Sequence, residues 1–391
     1  MKARVVHLIT KLELGGAQGN TLHTVRGLDR RRFSVALWAG DGGILEEEAR
    51  QIPDLDIEVI PGLRREVSPV QDLRALVILW SKLKQEMKRF APAPVILHTH
   101  SSKAGILGRL AARLAGVPLV VHTYHGFGFN RGQPWPVRQF YIGLERLTGR
   151  MSRALVAVSY ANLEEAVRLG LARQEQIRVI RSGIALQEFR PRPFDRLNLR
   201  RELGVSPDSS LVTMVACLKP QKSPLDFARL AARVLKEAPD AEFALAGDGE
   251  LRPELERLVA ELGIRERFHL LGWRRDVPEL LWASDVLVLT SLWEGLPRVY
   301  LEAHSAGLPV VGTRVDGAAE AVKDGENGYL FEPGDIAGMA SAVTALLCDP
   351  AQRRRLGEAG RARVDEFDIR HLVPALEALY EELLAAGAGR A

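Results

Sequence analysis

Two glutamates separated by seven residues, Glu294 and Glu302, lie in the stretch Ser291-Leu-Trp-Glu-Gly-Leu-Pro-Arg-Val-Tyr-Leu-Glu-Ala. The stretch follows an apolar run, Val286–Leu289, that reads as a strand, and it leads into a helical pattern. Pro297 suits the first helical position, where its missing N–H is one of the donors a helix start leaves unpaired anyway. That register puts Glu294 just outside the helix and Glu302 beyond its first turn. A helix N-terminus offers free N–H groups and positive dipole, a seat for phosphate. Carboxylates bracketing such a seat can grip hydroxyls on either side of a diphosphate. The same spacing also fits a glutamate placed for the helix dipole plus a surface glutamate.

Cations and glycines fall at other strand ends. Lys219-Pro-Gln-Lys222 follows the apolar run Leu211–Ala216. A lysine in a strand-to-helix turn can neutralise a phosphate leaving group, or simply be solvated. Gly247-Asp-Gly-Glu250 follows Glu242–Ala246 and lets backbone approach a ligand closely, as many β–α turns do. Gly15-Gly16 follows the first strand and suits either a phosphate or sugar contact or a plain tight turn. It is not the dinucleotide fingerprint, since Ala17 and Asn20 stand where the second and third glycines would be, which disfavours hydride transfer.

Histidines cluster as well: His98 and His100 end one strand, His122 and His125 another. Strand ends face the ligand crevice of open α/β sheets. Four histidines can be imagined around zinc, but no carboxylate or cysteine lies nearby in sequence, so no metal site is expected and at least one structural histidine is. The chain has no G-x-S-x-G elbow, no G-x-x-x-x-G-K-[ST] loop and no C-x-x-C, the usual signatures of acyl hydrolysis, ATP hydrolysis and thiol redox chemistry.

The elements that must hold these residues are those of a parallel α/β protein. Strand candidates are Val5–Ile9, Phe33–Trp38, Val95–Thr99, Leu119–Thr123, Ala154–Val158, Leu211–Ala216, Glu242–Ala246, Phe268–Leu271, Val286–Leu289 and Pro309–Val311. Helical patterns such as Lys103–Ala115, Leu225–Glu237, Pro253–Leu262 and Ala337–Leu347 alternate with them. Strands this apolar read as doubly wound sheets covered on both faces. At 391 residues, 47% hydrophobic and 26% charged, the chain is an ordinary globular protein of two to three domains. A charged, proline-containing stretch after Ser182 divides it into residues 1–185, residues 186–366 and a C-terminal helix, 367–391, expected to pack back on the first domain; a cleft between the two domains would be the ligand site. The two cysteines, Cys217 and Cys348, form no motif, and a reducing compartment is the default. No signal peptide and no apolar run near the roughly 20 residues of a membrane span is seen, so a cytoplasmic protein is expected.

The net charge of +4 hides an asymmetry. Residues 1–185 hold 27 Lys and Arg against 16 Asp and Glu, whereas residues 186–391 hold 26 against 33. The basic half contains Arg64-Arg65 and then Val70–Phe90, with Leu73, Leu76, Val77, Trp80, Leu83, Met87 and Phe90 at helical spacing among Lys82, Lys84, Lys88 and Arg89. Such a helix either rests on an anionic lipid surface as a peripheral anchor or covers a sheet with its outer face solvated. Nucleic-acid binding is disfavoured, because the charge is not interleaved with aromatics for stacking.

Taken together, the motifs resemble those of the retaining glycosyltransferases of family 4, which have the two-domain GT-B fold. The resemblance runs from Gly15-Gly16 through His125-Gly126 to Glu294-x(7)-Glu302 and Glu320 with Gly328 beyond. His98-Thr-His-Ser-Ser-Lys-Ala-Gly-Ile-Leu-Gly-Arg and Tyr124-His-Gly-Phe resemble bacterial polysaccharide-assembly members. The resemblance implies transfer of a sugar from a nucleotide diphosphate donor, with uridine as the expected base. It implies that Glu302 binds ribose hydroxyls, Glu294 the hydroxyls of the donor sugar, and Lys222 the leaving diphosphate. Gly15, the Gly16 amide and the Gly295-Leu296 turn would meet phosphate, His125 the transferred sugar, and Gly272-Trp273-Arg274 the base, with Lys219 and Gly247 beside the donor. The expected catalytic set is His125, Glu294 and Lys222. The acceptor it suggests is a polyprenyl-diphosphate-linked glycan.

One departure stands out: Cys217 occupies the position, five before the lysine, where the family usually has arginine. Lys219 in the same turn is a candidate replacement. No carboxylate is placed as a covalent nucleophile, which favours front-face displacement. The single D-x-D, Asp54-Leu55-Asp56, precedes a strand instead of ending one, so metal independence is expected and no cofactor beyond the sugar-nucleotide substrate. The alternatives are a GT-B-fold nucleotide-sugar epimerase and a degenerate sugar-nucleotide sensor.

Overall fold

The computed structural model describes residues 2–130 and 132–388, so the end of the Ala/Gly tail at 389–391 lies outside the described residues. The chain divides into two units: Met1–Gly183 with Arg370–Ala391, and Ile184–Ile369. The first unit holds seven strands, β1 (Ala3–Lys11), β2 (Phe33–Gly40), β3 (Leu55–Val59), β4 (Val95–His100), β5 (Leu119–Tyr124), β6 (Ala154–Ala157) and β7 (Ile177–Val179). They form one parallel sheet in the order β3-β2-β1-β4-β5-β6-β7. The second unit holds β8 (Leu211–Val215), β9 (Glu242–Ala246), β10 (Phe268–Gly272), β11 (Val286–Leu289), β12 (Val310–Thr313) and β13 (Gly328–Phe331). Its order is β10-β9-β8-β11-β12-β13, again parallel.

All ten strand candidates are found, with ends shifted by one or two residues except at β9 and β11. Pro309 lies outside β12, which starts at Val310; proline has no N–H to give to a ladder. The three strands absent from those candidates, β3, β7 and β13, are all sheet edges. An edge strand is covered less completely, so its side chains need not be uniformly apolar: β3 reads LDIEV and is mostly half-buried. Asp56 of the D-x-D lies within β3, where its carboxylate pairs with buried Arg4 at 2.7 Å.

The helix Pro69–Phe90 corrects the expected single apolar face. Ala75, Leu79, Leu83 and Glu86 are buried, and Leu76, Trp80, Met87 and Phe90 pack on the sheet core. Leu73 and Val77, grouped with them by spacing, are instead 62% and 51% exposed, as is Val70 at 76%. Glu86 is buried because Arg4 of β1 meets it at 2.5 Å. In the proline-containing stretch after Ser182, the short helix Leu186–Phe189 packs Leu186 and Phe189 inward while residues 190–193 are exposed.

The helix Leu372–Ala388 belongs to the first unit, where Glu377 accepts from the Asp29 N–H at 2.7 Å and from Arg32 Nη1 at 3.1 Å. No helix among the described residues is long and apolar enough to cross a membrane.

One ion pair in this unit is fully enclosed: Arg109 Nη2 meets Glu145 Oε2 at 2.7 Å with side chains 0% and 3% exposed. Removing one partner strands the other charge in the core, which typically costs about 3–5 kcal/mol. Glu145→Leu should lower the unfolding free energy by about that amount in urea titrations, and Arg109→Met added to it should recover most of the loss. A double variant as unstable as the single one contradicts this account.

Candidate active site

An open parallel sheet has one place where consecutive connections leave in opposite directions, and there a crevice opens beyond the carboxyl ends of two adjacent strands. In the second unit that place is between β8 and β11, because β9 and β10 lie on one side and β12 and β13 on the other. The turn after β8 carries Lys219 and Lys222, and the turn after β11 carries Glu294, so the two motifs farthest apart in this half become neighbours.

The two turns are laced together. The Leu292 N–H donates to Gln221 O at 2.7 Å, and Gln221 Nε2 to Trp293 O at 2.9 Å. Thr290 Oγ1 donates toward Lys222 O at 3.0 Å and Ser223 O at 2.8 Å. Lys222 Nζ pairs with Glu294 Oε1, and Ser291 Oγ donates to that same oxygen at 2.6 Å. From the other side, Asp316 Oδ2 accepts the Glu294 N–H at 2.7 Å, and the Gly317 N–H donates to Gly295 O at 3.1 Å. Glu294 is buried, with its carboxylate held at Oε1 and its backbone N–H held by Asp316 before any ligand arrives. Sequence reading missed Ser291 and Asp316 as its supports and Gln221 as the tie between the two turns; Gln221 and Asp316 act across turns distant in sequence, whereas Ser291 acts within the turn of Glu294 itself.

Pro297 sits one position earlier than expected, at the N-cap of the helix Arg298–Ala306. Glu302 lies on that helix, and burial pushes its carboxyl above the usual range, while the charges of Arg298 and Lys222 draw it back and Glu188 pushes it further up. Glu302 is therefore held in the electrostatic field of the lysine that pairs with Glu294. The Leu296 side chain is 6% exposed, so this residue can offer a ligand little but its backbone.

Lys219, Gly247 and Trp273 follow β8, β9 and β10 along the same carboxyl edge. Trp273 is 54% exposed. Gly247, at φ +141°, donates its N–H to Gly272 O at 2.8 Å, and a Cβ there would lie 1.9 Å from Ala216 O. Close packing of turn on turn thus accounts for this glycine without a ligand. Cys217 is half-buried in the adjoining turn.

In the first unit the corresponding place is between β1 and β4. Gly15 is the N-cap of the helix Gly16–Gly27 that follows β1, in extended backbone. Asn20 and Thr24 of that helix share a small cavity with His100, Thr123, His125 and Ser182. His7 of β1, missed because it interrupts an otherwise apolar run, joins the histidines of β4: its Nδ1 lies 3.0 Å from His100 Nε2, and His100 Nδ1 lies 3.1 Å from His125 Nε2. His122 turns instead to Thr99 Oγ1 at 2.9 Å. Burial drives His98, His100 and His122 well below the usual imidazole range and His7 to about 3, so these rings are neutral. Ring nitrogens of His7, His98 and His100 come within 4.8 Å of one another, close enough to consider a metal. His98, however, already uses both nitrogens, Nδ1 with Tyr380 OH at 2.6 Å and Nε2 with Thr123 Oγ1 at 2.7 Å.

The expected residues therefore fall into two sets, Lys219, Lys222, Gly247, Trp273, Glu294, Gly295, Leu296 and Glu302 on one unit, and Gly15, Gly16 and His125 on the other. Lys222 is the lysine bound into the Glu294 network, so Lys222→Met should lower turnover of the sugar-nucleotide donor by about 10²–10³-fold. If Lys219 compensates for Cys217, Lys219→Ala should also lower it; unchanged turnover in that variant alone rules the compensation out.

Comparison with known proteins gives the family. Residues 14–188 match the family described as Glycosyltransferase Family 4, and residues 195–363 that described as Glycosyl transferases group 1. The UDP-Gal:alpha-D-GlcNAc-diphosphoundecaprenol alpha-1,3-galactosyltransferase of Escherichia coli is 34% identical, covering 98% of both chains. The N-acetyl-alpha-D-glucosaminyl L-malate synthase of Bacillus anthracis is 30% identical over 74% of this chain and 75% of its own. In fold, the crystal structure of Anabaena Alr3699/HepE in complex with UDP and glucose superposes with TM-score 0.83 at 23% identity, covering 97% of this chain and all of that one. With two family matches in tandem and a full-length relative, the chain belongs to glycosyltransferase family 4: it is a glycosyltransferase with the GT-B fold.

Proposed function

We propose that the protein moves a hexosyl group from a UDP-sugar to a polyprenyl-diphosphate-linked glycan, with retention of anomeric configuration and without a metal, in cell-surface polysaccharide synthesis. The observation that carries this reading is the end-to-end similarity to the Escherichia coli enzyme, whose name states a UDP-linked donor and a diphosphoundecaprenol-linked acceptor. The Lys222–Glu294 network supports it chemically. Glu294 accepts from hydroxyls of the donor sugar and Glu302 from those of the ribose. As the anomeric C–O bond breaks, its electron pair leaves with the diphosphate, which Lys222 and the helix start at Arg298 stabilise. The acceptor oxygen forms its bond to the same face of the sugar, and its proton passes to the departing phosphate oxygen. Lys222 thus serves both ends of the reaction, orienting Glu294 and countering the leaving charge.

The acceptor would be met at the cytoplasmic face of a membrane, with the first unit as the peripheral contact. Support moves from Trp80, which packs on the core, to the start of the same helix. Val67, Val70, Leu73 and Val77 are exposed there, with Arg64, Arg65 and Arg74 exposed beside them in sequence. Trp135 and Phe140, on the helix Trp135–Gly149 of this unit, are 71% and 63% exposed. Apolar residues bordered by cations suit an anionic bilayer.

Radiolabelled UDP-hexoses incubated with synthetic polyprenyl-diphosphate GlcNAc should give an α-linked disaccharide at the same rate with and without EDTA. Inverted product, transfer only from another nucleotide, or turnover lost in EDTA and restored by magnesium or manganese would each refute the corresponding part. An epimerised sugar formed without acceptor would refute the transfer reading. The protein should float with phosphatidylglycerol vesicles at low salt, and Leu73→Glu with Val77→Glu should abolish flotation; no binding by the unaltered protein rejects the membrane contact.

A further inference from the structure

Five histidines crowd the strands β1, β4 and β5 and the turn after them, and the family resemblance gives a part, contact with the transferred sugar, to His125 alone. Two of the others are linked to it in series. His125 Nε2 lies 3.1 Å from His100 Nδ1, and His100 Nε2 lies 3.0 Å from His7 Nδ1. Beside this line, the His98 ring lies against His100 with centroids 4.3 Å apart and a 30° tilt, and its own nitrogens are tied to Tyr380 and Thr123. His100 is therefore gripped on its face as well as at both nitrogens.

We propose that His7 and His100 form a buried imidazole chain that sets the tautomer of His125, which makes both of them positioning residues for it. A neutral imidazole carries one N–H and one lone pair, so each link needs one donor and one acceptor. Only two proton orders satisfy both links. If His125 donates inward, His100 donates to His7 Nδ1 and the His7 proton must sit on Nε2. That atom is buried and has no hydrogen-bond partner among the described residues, so the order ends in a donor with nothing there to donate to. In the reverse order His7 Nδ1–H donates to His100 Nε2, and His100 Nδ1–H donates to His125 Nε2. The line then ends in an unused lone pair, and buried acceptors left unused are commoner than buried N–H groups left unpaired. The reverse order places the His125 proton on Nδ1 and occupies its Nε2 lone pair. With that lone pair engaged, His125 Nε2 cannot act as a base, and the ring can meet the donor sugar only as a group whose proton is on Nδ1. That last step rests on the proposed contact of His125 with the donor sugar; the proton order does not.

Nitrogen-15 NMR of histidine-labelled full-length protein without donor reads each tautomer directly, since protonated and bare ring nitrogens resonate far apart. His7, His100 and His125 should all show the proton on Nδ1. His100→Leu removes the donor to His125 and should release that ring toward the Nε2–H form. His100→Asn, whose side-chain amide can donate from near the Nδ1 position, should keep it in the Nδ1–H form. An Nε2–H tautomer of His125 in the unaltered protein overturns the proposal whether or not any variant folds. So does a His125 tautomer unchanged in His100→Leu, which would leave His100 a packing role only. Stoichiometric binding of added zinc that shifts the His7, His98 and His100 signals also overturns it, because the lone pairs would then belong to a metal. Because no donor is present, failure here is separable from failure of the transfer reaction, which the radiolabelled assay reads.

Discussion

A parallel sheet can be wound in both directions from its middle only if two adjacent strands send their connections to opposite sides. The crevice beyond the carboxyl ends of those two strands is the one place in the sheet that neither set of helices covers. Both sheets obey this constraint, between β1 and β4 in one and between β8 and β11 in the other. The chemistry of each unit gathers there: glycines and histidines in the first, lysine and carboxylates in the second. Residues 72 positions apart, Lys222 and Glu294, pair because β8 and β11 are neighbours in the sheet.

Around these crevices polar groups are buried on the condition that something answers them. Glu294 is enclosed with an ammonium, a hydroxyl and, through its backbone, the Asp316 carboxylate. Arg4 is enclosed between Asp56 and Glu86, and Arg109 against Glu145. The histidines follow the other route: where no carboxylate is at hand, burial keeps the rings neutral and they pair with one another and with hydroxyls. Charge in the second unit and neutrality in the first thus come from the same desolvation penalty, met in two ways.

How far the sequence could be read depended on how local each cause was. Strands buried on both faces announce themselves by continuous apolar runs, so β9 and β11 were legible to the residue, whereas edge strands β3, β7 and β13 were not, since half-covered strands tolerate residues such as Asp56 and Glu58. Glu294, Lys222 and His125 were legible because they sit at strand ends in a recognisable order. Their supports Asp316 and His7 were not, because what distinguishes them is a bond to a segment distant in sequence.

The amino-acid sequence by itself determined the parallel α/β class, the division after Ser182, the family and the residues that carry its motifs. The class and the division follow from periodicity, composition and spacing, and the family from the resemblance of motifs in their order along the chain. Tertiary structure alone decided which of those residues meet, since sheet order is not written in the order of the strands. It also decided which residues of Pro69–Phe90 are covered: spacing groups Leu73 with Leu83, and the folded unit leaves the first exposed and buries the second.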